Sequence, residues 1–372
     1  MSAQHKHGEV SRQLLAEIAM GKYAPSGRLP AETQLARRFH VSRPTVARAL
    51  RDLQEKGLIE RHAGSGTQLK SPVEKGTIGG RQIGLLIPGL GKTEIFEMVC
   101  GELASLARAR DITLLSGGEI LKPQVLDEKA VMDLCSHFIE QQVVGVFFTP
   151  FDGSKEGVNR RIAEKLTKAG IPVVLLDRDL EPFPRRSAFD LVGVDNLAGG
   201  CLLAEHLIKL GCRRIAFLAR LQYPPSINAR IAGVREALAG FKIELPPDWI
   251  QVGDPENPRF IHSLVAGGRW DAVVCSNDLI AAQLLRSLER NNVSVPRDLR
   301  VVGFDDAKYA TLLGVSLTTM RQPCRDIAIT AFRAMTERIS DPTLPPRSIL
   351  LTPQLVVRES CGAYLPRGSE KL

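Results

Sequence analysis

The chain has 372 residues, of which 44% are hydrophobic, and its formal net charge is +8. This composition is typical of an ordinary globular chain with room for two or three domains. The first ten residues contain no apolar stretch of the kind that directs export, and no run of eighteen apolar residues occurs, so we predict a cytoplasmic protein without a membrane segment.

Cysteine and histidine usage indicates reduced thiols and no metal. The seven cysteines lie singly, mostly in apolar runs, and none forms a C-x-x-C pair. The seven histidines form no H-x-x-x-H pair. We therefore predict buried thiols in the core, no disulfide framework, no metal site and no cofactor.

Three helices are predicted at the start of the chain. The first covers residues 10–20 and the second residues 32–39. A third begins after Ser42, a suitable N-cap, and ends before Gly57; its apolar residues at helical spacing are Val46, Ala49, Leu50 and Leu53. The short connection at residues 40–41 between the second and third helices is typical of a helix-turn-helix.

A small hairpin is predicted directly after these helices. Residues 58–61 and 67–69 alternate as strands do, and Gly64 and Gly66 between them suit a tight turn. The helix-turn-helix therefore carries a wing, and we assign residues 1–70 to a winged domain.

The outer face of the third helix is basic, and so is the whole N-terminal segment. A basic helical face is usually only solvated, but residues 1–70 hold twelve Lys and Arg against six Asp and Glu, a net +6 of the chain's +8. This concentration suits binding to DNA phosphates. Arg43 is placed to read guanine, a contact worth roughly 1–3 kcal/mol of discrimination.

The motifs LPAE, VSRPTVARAL, KGLI and GSGT follow one another in residues 29–67. In this order they resemble the winged-helix domain of GntR-family bacterial transcription regulators. The resemblance implies double-stranded operator DNA as partner, with the third helix in the major groove and the wing tip near the minor groove. The predicted DNA contacts are Arg38, Ser42, Arg43, Thr45, Arg48, Gly64, Ser65 and Gly66. Ala47 and Thr33 depart from the common pattern, so the operator sequence of relatives does not transfer.

A second domain is predicted after a linker at residues 71–80, which contain one Pro and three Gly. Continuous apolar runs alternate with helix-length segments, at residues 83–87, 112–115, 143–148, 172–176, 191–194, 214–218, 272–275 and 299–304. This alternation predicts a doubly wound α/β fold with parallel sheets. Because about 280 residues exceed one such sheet, we predict two lobes with a cleft over residues 81–358 and a polar tail at residues 359–372.

This second domain resembles the LacI-type effector domain, which is related to periplasmic sugar-binding proteins. The segments that carry the resemblance are IGLLIP at 83–88, GIPVVLLDR at 170–178, CSNDLIA at 275–281, VVGFDD at 301–306 and LTTMRQP at 317–323, together with Ser226, Arg230 and Gly233. The resemblance implies two α/β lobes that close on a small ligand, most often a sugar, and a homodimer.

Several polar residues follow the predicted strands, where open α/β sheets bind ligands. A sugar needs carboxylates, amides and a guanidinium around its hydroxyl groups. Asp177, Arg178, Asn277 and Asp305 are such residues. The resemblance to the LacI-type domain implies the full set of effector contacts, namely Asp177, Arg178, Arg230, Asn277, Asp305 and Gln322, with Phe96 as an apolar platform near the mouth. Arg178 and Arg230 together would equally suit a sugar acid or sugar phosphate. We interpret Asp278 and Asp306 as helix caps instead.

Nucleotide hydrolysis is not indicated. Gly91-Lys92 follows a strand, but Leu86 occupies the position where a P-loop needs its first glycine, and we find neither an activated nucleophile nor a catalytic residue set.

Taken together, these patterns predict a ligand-responsive transcription repressor and not an enzyme. Two alternatives remain at the level of sequence, namely an enzyme built on the two-lobed fold and a non-specific architectural DNA-binding protein.

Overall fold

The computed structural model describes residues 10–11, 13–14, 17, 23, 29–55, 59–62, 66–69, 81–88, 94–117, 128–151, 157–221 and 223–365. The chain divides into two compact units, Met1–Ile78 and Gly79–Leu372. The predicted linker at residues 71–80, Gly57 and the wing-tip residues Gly64 and Ser65 lie outside the described residues.

The N-terminal unit is a winged helix-turn-helix, as predicted. Helix α1 spans Glu32–Arg38 and helix α2 spans Arg43–Glu55. Strand β1 (Ile59–His62) pairs antiparallel with β2 (Gly66–Leu69). Residues 10, 11, 13, 14 and 17 are helical and lie within the predicted first helix.

The apolar side of α2 lies at the centre of this unit. Its residues at helical spacing are fully buried, and these are Val46, Ala49, Leu50 and Leu53. Leu35 of α1 and Leu14 belong to the same buried cluster. Burial of one such side chain contributes roughly 1.5–3 kcal/mol, which explains why this spacing is decisive for the position of α2.

The C-terminal unit contains a six-stranded parallel sheet. Its strands are β3 (Arg81–Leu86), β4 (Ile112–Ser116), β5 (Gly145–Phe148), β6 (Val173–Leu176), β7 (Asp190–Val194) and β13 (Ser348–Leu351). Their order is β13-β7-β6-β5-β3-β4. Every residue of β5, β6 and β7 is buried, as expected of parallel strands covered on both faces.

A second parallel sheet has four strands, β8 (Ile215–Ala219), β9 (Ile250–Val252), β10 (Ala272–Cys275) and β11 (Arg300–Val302). Their order is β11-β10-β8-β9. Two further strands, β12 (Thr319–Arg321) and β14 (Gln354–Val356), form an antiparallel pair. The predicted doubly wound, two-lobed architecture is confirmed.

Helices accompany both sheets. Those of the first lobe are α3 (Glu94–Arg108), α4 (Glu128–Glu140), α5 (Val158–Lys168) and α10 (Cys324–Ser340). Those of the second lobe are α6 (Asn196–Lys209), α7 (Ser226–Gly240), α8 (Pro258–Val265) and α9 (Asp278–Arg290). The chain passes between the lobes after β7, before α10 and between β13 and β14, so three connections form the hinge.

The C-terminal segment corrects one boundary, because the chain stays packed where we predicted a tail from residue 359. Glu359–Cys361 form a short 3-10 helix, in which Ser360 and Cys361 are fully buried. The hydroxyl of Ser360 accepts the Thr318 amide at 2.9 Å and donates to the Val301 carbonyl at 2.6 Å. These two hydrogen bonds hold the segment against the second lobe.

Candidate functional site

The start of α2 presents a polar, basic surface. Ser42, Arg43 and Arg48 are exposed, and Thr45 is half-buried. The hydroxyl groups of Ser42 and Thr45 lie 2.8 Å apart, so one donates to the other. A helix N-terminus carries a partial positive charge, which adds to that of Arg43 and suits an approaching phosphate.

Arg38 has a different role from the predicted one. Its guanidinium binds Glu17 and donates to the Tyr23 hydroxyl at 3.0 Å, and it lies 5.0 Å from the centre of the Phe39 ring. Glu17 and Tyr23 are buried, and burial followed by the hydrogen bond to Glu17 raises the pKa of Tyr23. A buried carboxylate needs a cationic partner, so Arg38 stabilises the N-terminal unit, and this ion pair leaves its guanidinium less suited to a DNA contact.

The wing is described only at its strands. Gly66 begins β2 and lies opposite His62. The predicted contacts Gly64 and Ser65 fall outside the described residues, so the wing tip remains a prediction.

In the second unit, Arg230 lies at the centre of the predicted effector contacts. It projects from α7 and is only 5% exposed. Its Nε donates to Asn196 Oδ1 at 2.7 Å, a second nitrogen donates to the Ser276 carbonyl, and the guanidinium lies 3.6 Å from the Phe304 ring centre. Burial lowers the pKa of Arg230, and the nearby carboxylates of Asp305 and Asp177 oppose that shift.

The first lobe contributes Asp177 and Arg178 directly after β6. Arg178 Nε donates to Asp177 Oδ2 at 2.9 Å, and its guanidinium lies 5.9 Å from the Phe96 ring centre. Phe96 itself is only 7% exposed. The ring of Phe96 is therefore buried next to Arg178, and its role as an apolar platform near the mouth stays a prediction.

The second lobe contributes Asp305 and Gln322. Gln322 Nε2 donates to Asp305 Oδ1 at 2.7 Å. Asp305 has a backbone φ of 126° at the end of its strand segment, a conformation rare outside glycine. Burial raises the pKa of Asp305 to about 7, against the opposing effect of Arg230.

Asn277 lies at the predicted place, but its side chain also has a structural task. Its Oδ1 accepts the amide of Ile280 at 2.9 Å and so caps α9. Only the amide nitrogen of this side chain is then suited to a ligand hydroxyl.

Asp278 and Asp306 are not helix caps, which corrects our interpretation of both. Asp278 is fully buried and accepts the Ala307 amide at 2.8 Å and the Thr319 hydroxyl at 2.6 Å. Burial raises its pKa to about 6. Asp306 forms ion pairs at 2.6 Å with both Arg321 and Arg358. Both carboxyls therefore tie separate segments of the second lobe together.

The two parts of the chain match separate families. Residues 6–69 match the bacterial regulatory proteins of the gntR family, and residues 204–361 match the periplasmic binding protein-like domain. The chain joins a GntR-family DNA-binding head to a LacI-type effector domain. The name "head" denotes residues 10–69, and "LacI-type domain" denotes residues 81–365.

The relatives that match along most of the chain are transcriptional regulators and not enzymes. The arabinose metabolism transcriptional repressor of Geobacillus stearothermophilus is 27% identical over 367 residues, which cover 95% of this chain and 97% of the relative. The HTH-type transcriptional repressor PurR of Vibrio parahaemolyticus is 29% identical over 288 residues, 75% of this chain and 81% of the relative. The solved complex of the transcriptional regulator CelR with cellobiose shares the fold, with a TM-score of 0.66 at 22% identity over 89% of this chain and 100% of that one.

Three further residues of the LacI-type domain lie beside the predicted effector contacts and were not named from the sequence, namely Asn196, Ser276 and Tyr309. Asn196 and Ser276 follow β7 and β10, so the same strand-end rule applied to every strand would have found them. Tyr309 is half-buried, and burial raises its pKa, with further effects from Asp278 and Asp305. No sequence pattern marks Tyr309, because it lies in a short 3-10 helix, Lys308–Thr311, that has too few residues for an apolar periodicity.

One hydrogen bond joins the two lobes of the LacI-type domain away from the hinge. Glu94, the first residue of α3, accepts the backbone N–H of Lys308 at 2.6 Å, although the two residues are 214 positions apart. Glu94 also lies close enough to Tyr309 to raise its pKa. The lobes therefore meet at Lys308 and Tyr309, beside the cleft cluster.

Among the described residues, no group of three or more His, Cys, Asp or Glu side chains could hold a metal ion. All seven cysteines are free thiols. No helix among the described residues is long and apolar enough to span a bilayer.

Proposed function

We propose that this protein is a transcription repressor whose affinity for operator DNA is controlled by a sugar or sugar derivative bound between the lobes. The observation that carries the proposal is the cluster of Arg230, Asp305 and Asp177, where donors and acceptors from both lobes converge. Hydroxyl-rich ligands need such a mixture. The named repressors among the relatives and the cellobiose complex of CelR support the same conclusion.

The charges of the cleft favour a neutral sugar over a sugar acid or sugar phosphate. Two guanidinium groups, Arg178 and Arg230, face two carboxyls, Asp177 and Asp305. Arg178 already pairs with Asp177, and Arg230 lies close to both carboxyls. An anion would have to compete with these carboxylates for the same cations, whereas a neutral polyol can bind both kinds of group.

We propose that the head binds DNA through the start of α2 and the wing. Ser42, Thr45 and Arg48 contact phosphates and Arg43 reads a base edge, with Gly64, Ser65 and Gly66 at the minor groove. Phosphate contacts position the head, and base contacts supply its sequence preference.

We also propose a homodimer. Leu221, Val252 and Leu279 are large apolar residues with exposures of 75%, 42% and 54%. They share one face of the second lobe, since β8 pairs with β9 and Arg220 next to Leu221 donates to Gln283 of α9 at 3.0 Å. An exposed apolar surface of this kind is typical of a subunit interface.

The proposed mechanism couples the cleft to the heads. Two LacI-type domains hold two heads at the spacing of a pseudo-palindromic operator in the bacterial cytoplasm, with residues 71–80 as the connection. Effector binding changes the angle between the lobes and hence the spacing of the heads. Coupling free energies of this kind are typically about 1–3 kcal/mol.

The decisive experiment combines ligand screening with DNA binding. Purified protein is screened by thermal shift against monosaccharides, disaccharides, sugar acids and sugar phosphates, and operator affinity is then measured with and without each stabilising compound. We expect a neutral sugar to stabilise the protein and to change operator affinity by about 5–150-fold. A stabilising sugar that leaves operator affinity unchanged would contradict the regulatory role.

Two variants separate the two activities. We expect Arg43→Ala to lower operator affinity by about tenfold or more and to leave sugar binding intact, because it removes a base contact. Arg290→Ala, which removes the same charge from the exposed surface of α9, is the control.

We expect Arg230→Lys to weaken sugar binding while operator binding in the absence of sugar is kept, because lysine lacks the planar guanidinium group. Steep salt dependence without operator preference would instead favour an architectural DNA-binding protein.

A further inference from the structure

A small cavity extends the predicted effector site toward the hinge. It has a volume of ≈ 50 Å³ and lies between the loop after β6 and the N-termini of α6 and α7. Asp177 and Arg178 line it together with Asp179, Phe183 and Ser226. The cavity therefore adjoins two of the predicted effector contacts.

Asp179 has one oxygen that nothing in the described part of the chain satisfies. The side chain is only 6% exposed. Its Oδ1 accepts the amides of Glu181 at 2.9 Å and Ser187 at 3.0 Å. Its Oδ2 is buried and has no hydrogen-bond partner among the described residues. A buried carboxylate oxygen without a donor is costly, so this position calls for a donor from outside the protein.

The size of the cavity limits what the donor can belong to. One water molecule needs roughly 10–15 Å³ of such space, so the cavity holds about three to five non-hydrogen atoms. A second sugar ring does not fit. A short substituent that carries one hydroxyl group does, and the ring of Phe183 offers an apolar surface for its carbon atom.

We propose that the effector is a hexopyranose whose hydroxymethyl group enters this cavity and donates a hydrogen bond to Asp179 Oδ2. This inference rests on the proposed sugar-sensing function and assigns it a specificity. Asp179 then distinguishes hexoses from pentoses, because a pentopyranose lacks the hydroxymethyl group and leaves the carboxylate oxygen unsatisfied. A site built to bind a hydroxyl group rejects analogues that lack it.

Matched sugars isolate the contact. L-arabinose, D-fucose and D-galactose share their ring configuration and carry hydrogen, methyl and hydroxymethyl at the same ring carbon. D-xylose, D-quinovose and D-glucose form a second such series, and D-lyxose, D-rhamnose and D-mannose a third. Affinities are measured by calorimetry on the full-length protein. In at least one series we expect the hydroxymethyl member to bind about 10–100-fold more tightly than the methyl member.

The same ratio is then measured in two variants. Asp179→Asn keeps an oxygen for the two loop amides but places a donor where Oδ2 was, so the preference for hydroxymethyl should fall to within about threefold. Glu164→Gln, which removes one carboxylate from the exposed surface of α5, should keep the wild-type ratio. Operator binding without sugar reports that each variant is folded.

The outcomes distinguish this inference from the function on which it rests. Equal affinities for the methyl and hydroxymethyl members, in sugars that bind and change operator affinity, would overturn the role of Asp179 and leave the sensor intact. The same result follows if pentoses bind most tightly, since water would then occupy the cavity. If none of the nine sugars binds but another sugar of the thermal-shift panel does and changes operator affinity, the role of Asp179 fails and the sensor stands. If no sugar of that panel binds, the sugar-sensing function fails as well.

Discussion

Asp305 is held where burial opposes its charge. Arg230 and the amide of Gln322 stabilise the carboxylate, whereas Asp278 and Asp177 add negative charge nearby. The net result raises its pKa to about 7, so the carboxyl is half protonated near neutral pH. A protonated Asp305 can both donate to and accept from a sugar hydroxyl, which a carboxylate cannot.

This pKa makes a stability prediction with a definite sign. The unfolded chain loses this proton near its ordinary value of 3.8, and the folded protein keeps it up to about 7. The folded state binds more protons in that window, so the free energy of unfolding falls as pH rises through it and is constant above it. The free energy of unfolding of Asp305→Asn, measured by chemical denaturation, should rise relative to that of wild type by about 2 kcal/mol between about pH 5 and about pH 8.

Asp271 supplies the control for that measurement. Although burial acts to raise it, hydrogen bonds from Arg214 and from the backbone lower the pKa of Asp271. Its titration therefore lies below the tested range. The stability difference between Asp271→Asn and wild type should stay constant over the same pH values, and a parallel drift in both variants would show that Asp305 is not the titrating group.

At the scale of single residues, the sequence predicts where several polar side chains lie but not which groups they bind. The strand-end rule placed Asp177 and Asp305 near each other, and the resemblance to the LacI-type domain added Arg230, whose pKa both carboxylates affect. It could not show that Asp278 binds Ala307 and Thr319, because those partners lie 29 and 41 residues away. The role of Arg38 depends in the same way on a carboxylate 21 residues earlier in the chain.

At the scale of elements, α6 and α7 approach each other backbone to backbone. A Cβ atom on Gly233 would lie 2.0 Å from the Leu197 carbonyl oxygen, and one on Gly200 would lie 2.2 Å from the Arg230 carbonyl oxygen. Only glycine permits this separation. Because Arg230 itself belongs to the contact, the close approach also positions its guanidinium in the cleft.

This packing predicts a large effect from one methyl group. We expect Gly233→Ala to lower the free energy of unfolding by about 2–3 kcal/mol, because the backbones of α6 and α7 must separate. Sugar affinity should fall as well, since Arg230 moves with α7. Gly101→Ala in α3 is the control, because its Cβ would meet nothing within 4 Å. It should raise stability by about 0.5–1 kcal/mol, and equal losses in both variants would contradict the packing argument.

The elements at the hinge were the hardest to predict. Strand β13 pairs with β7 at the edge of the first sheet, although Ser348 lies 157 positions after its partner Leu191. None of the apolar runs predicted as strands includes β13. Its short apolar run lies near the C-terminus. The spacing of apolar residues along this run does not indicate to which lobe the strand belongs. The pairing of β13 with β7 depends on the unpaired backbone N–H and C=O groups at the edge of β7. That edge exists only once the sheet has assembled.

At the scale of the whole molecule, the proposed regulation depends on the proposed dimer. The exposed apolar residues Leu221 and Leu279 lie at the carboxyl end of the second sheet, where a second copy would cover them. We expect Leu221→Asp or Leu279→Asp to raise the dimer dissociation constant by about tenfold or more, measured by sedimentation velocity. Operator affinity should fall with it, because a monomer presents one head to a two-part site.

Phe241 is the matched control for the interface. It is 48% exposed but follows the C-terminal end of α7, away from the other two residues. Phe241→Asp should leave both the dimer and operator affinity unchanged. If it dissociates the dimer while Leu221→Asp does not, the interface lies on the other end of the lobe.

The amino-acid sequence by itself determined the winged helix-turn-helix, the two parallel sheets and the strand ends at which the cleft residues lie. Those features follow from local periodicity, since an apolar face of α2 or a buried strand such as β6 must be covered wherever it folds. Tertiary structure alone decided the roles of Arg38, Asp278 and Asp306, the burial of Phe96 and the unsatisfied oxygen of Asp179. A polar side chain takes its role from the partner that folding brings to it, and that partner is usually distant in the chain.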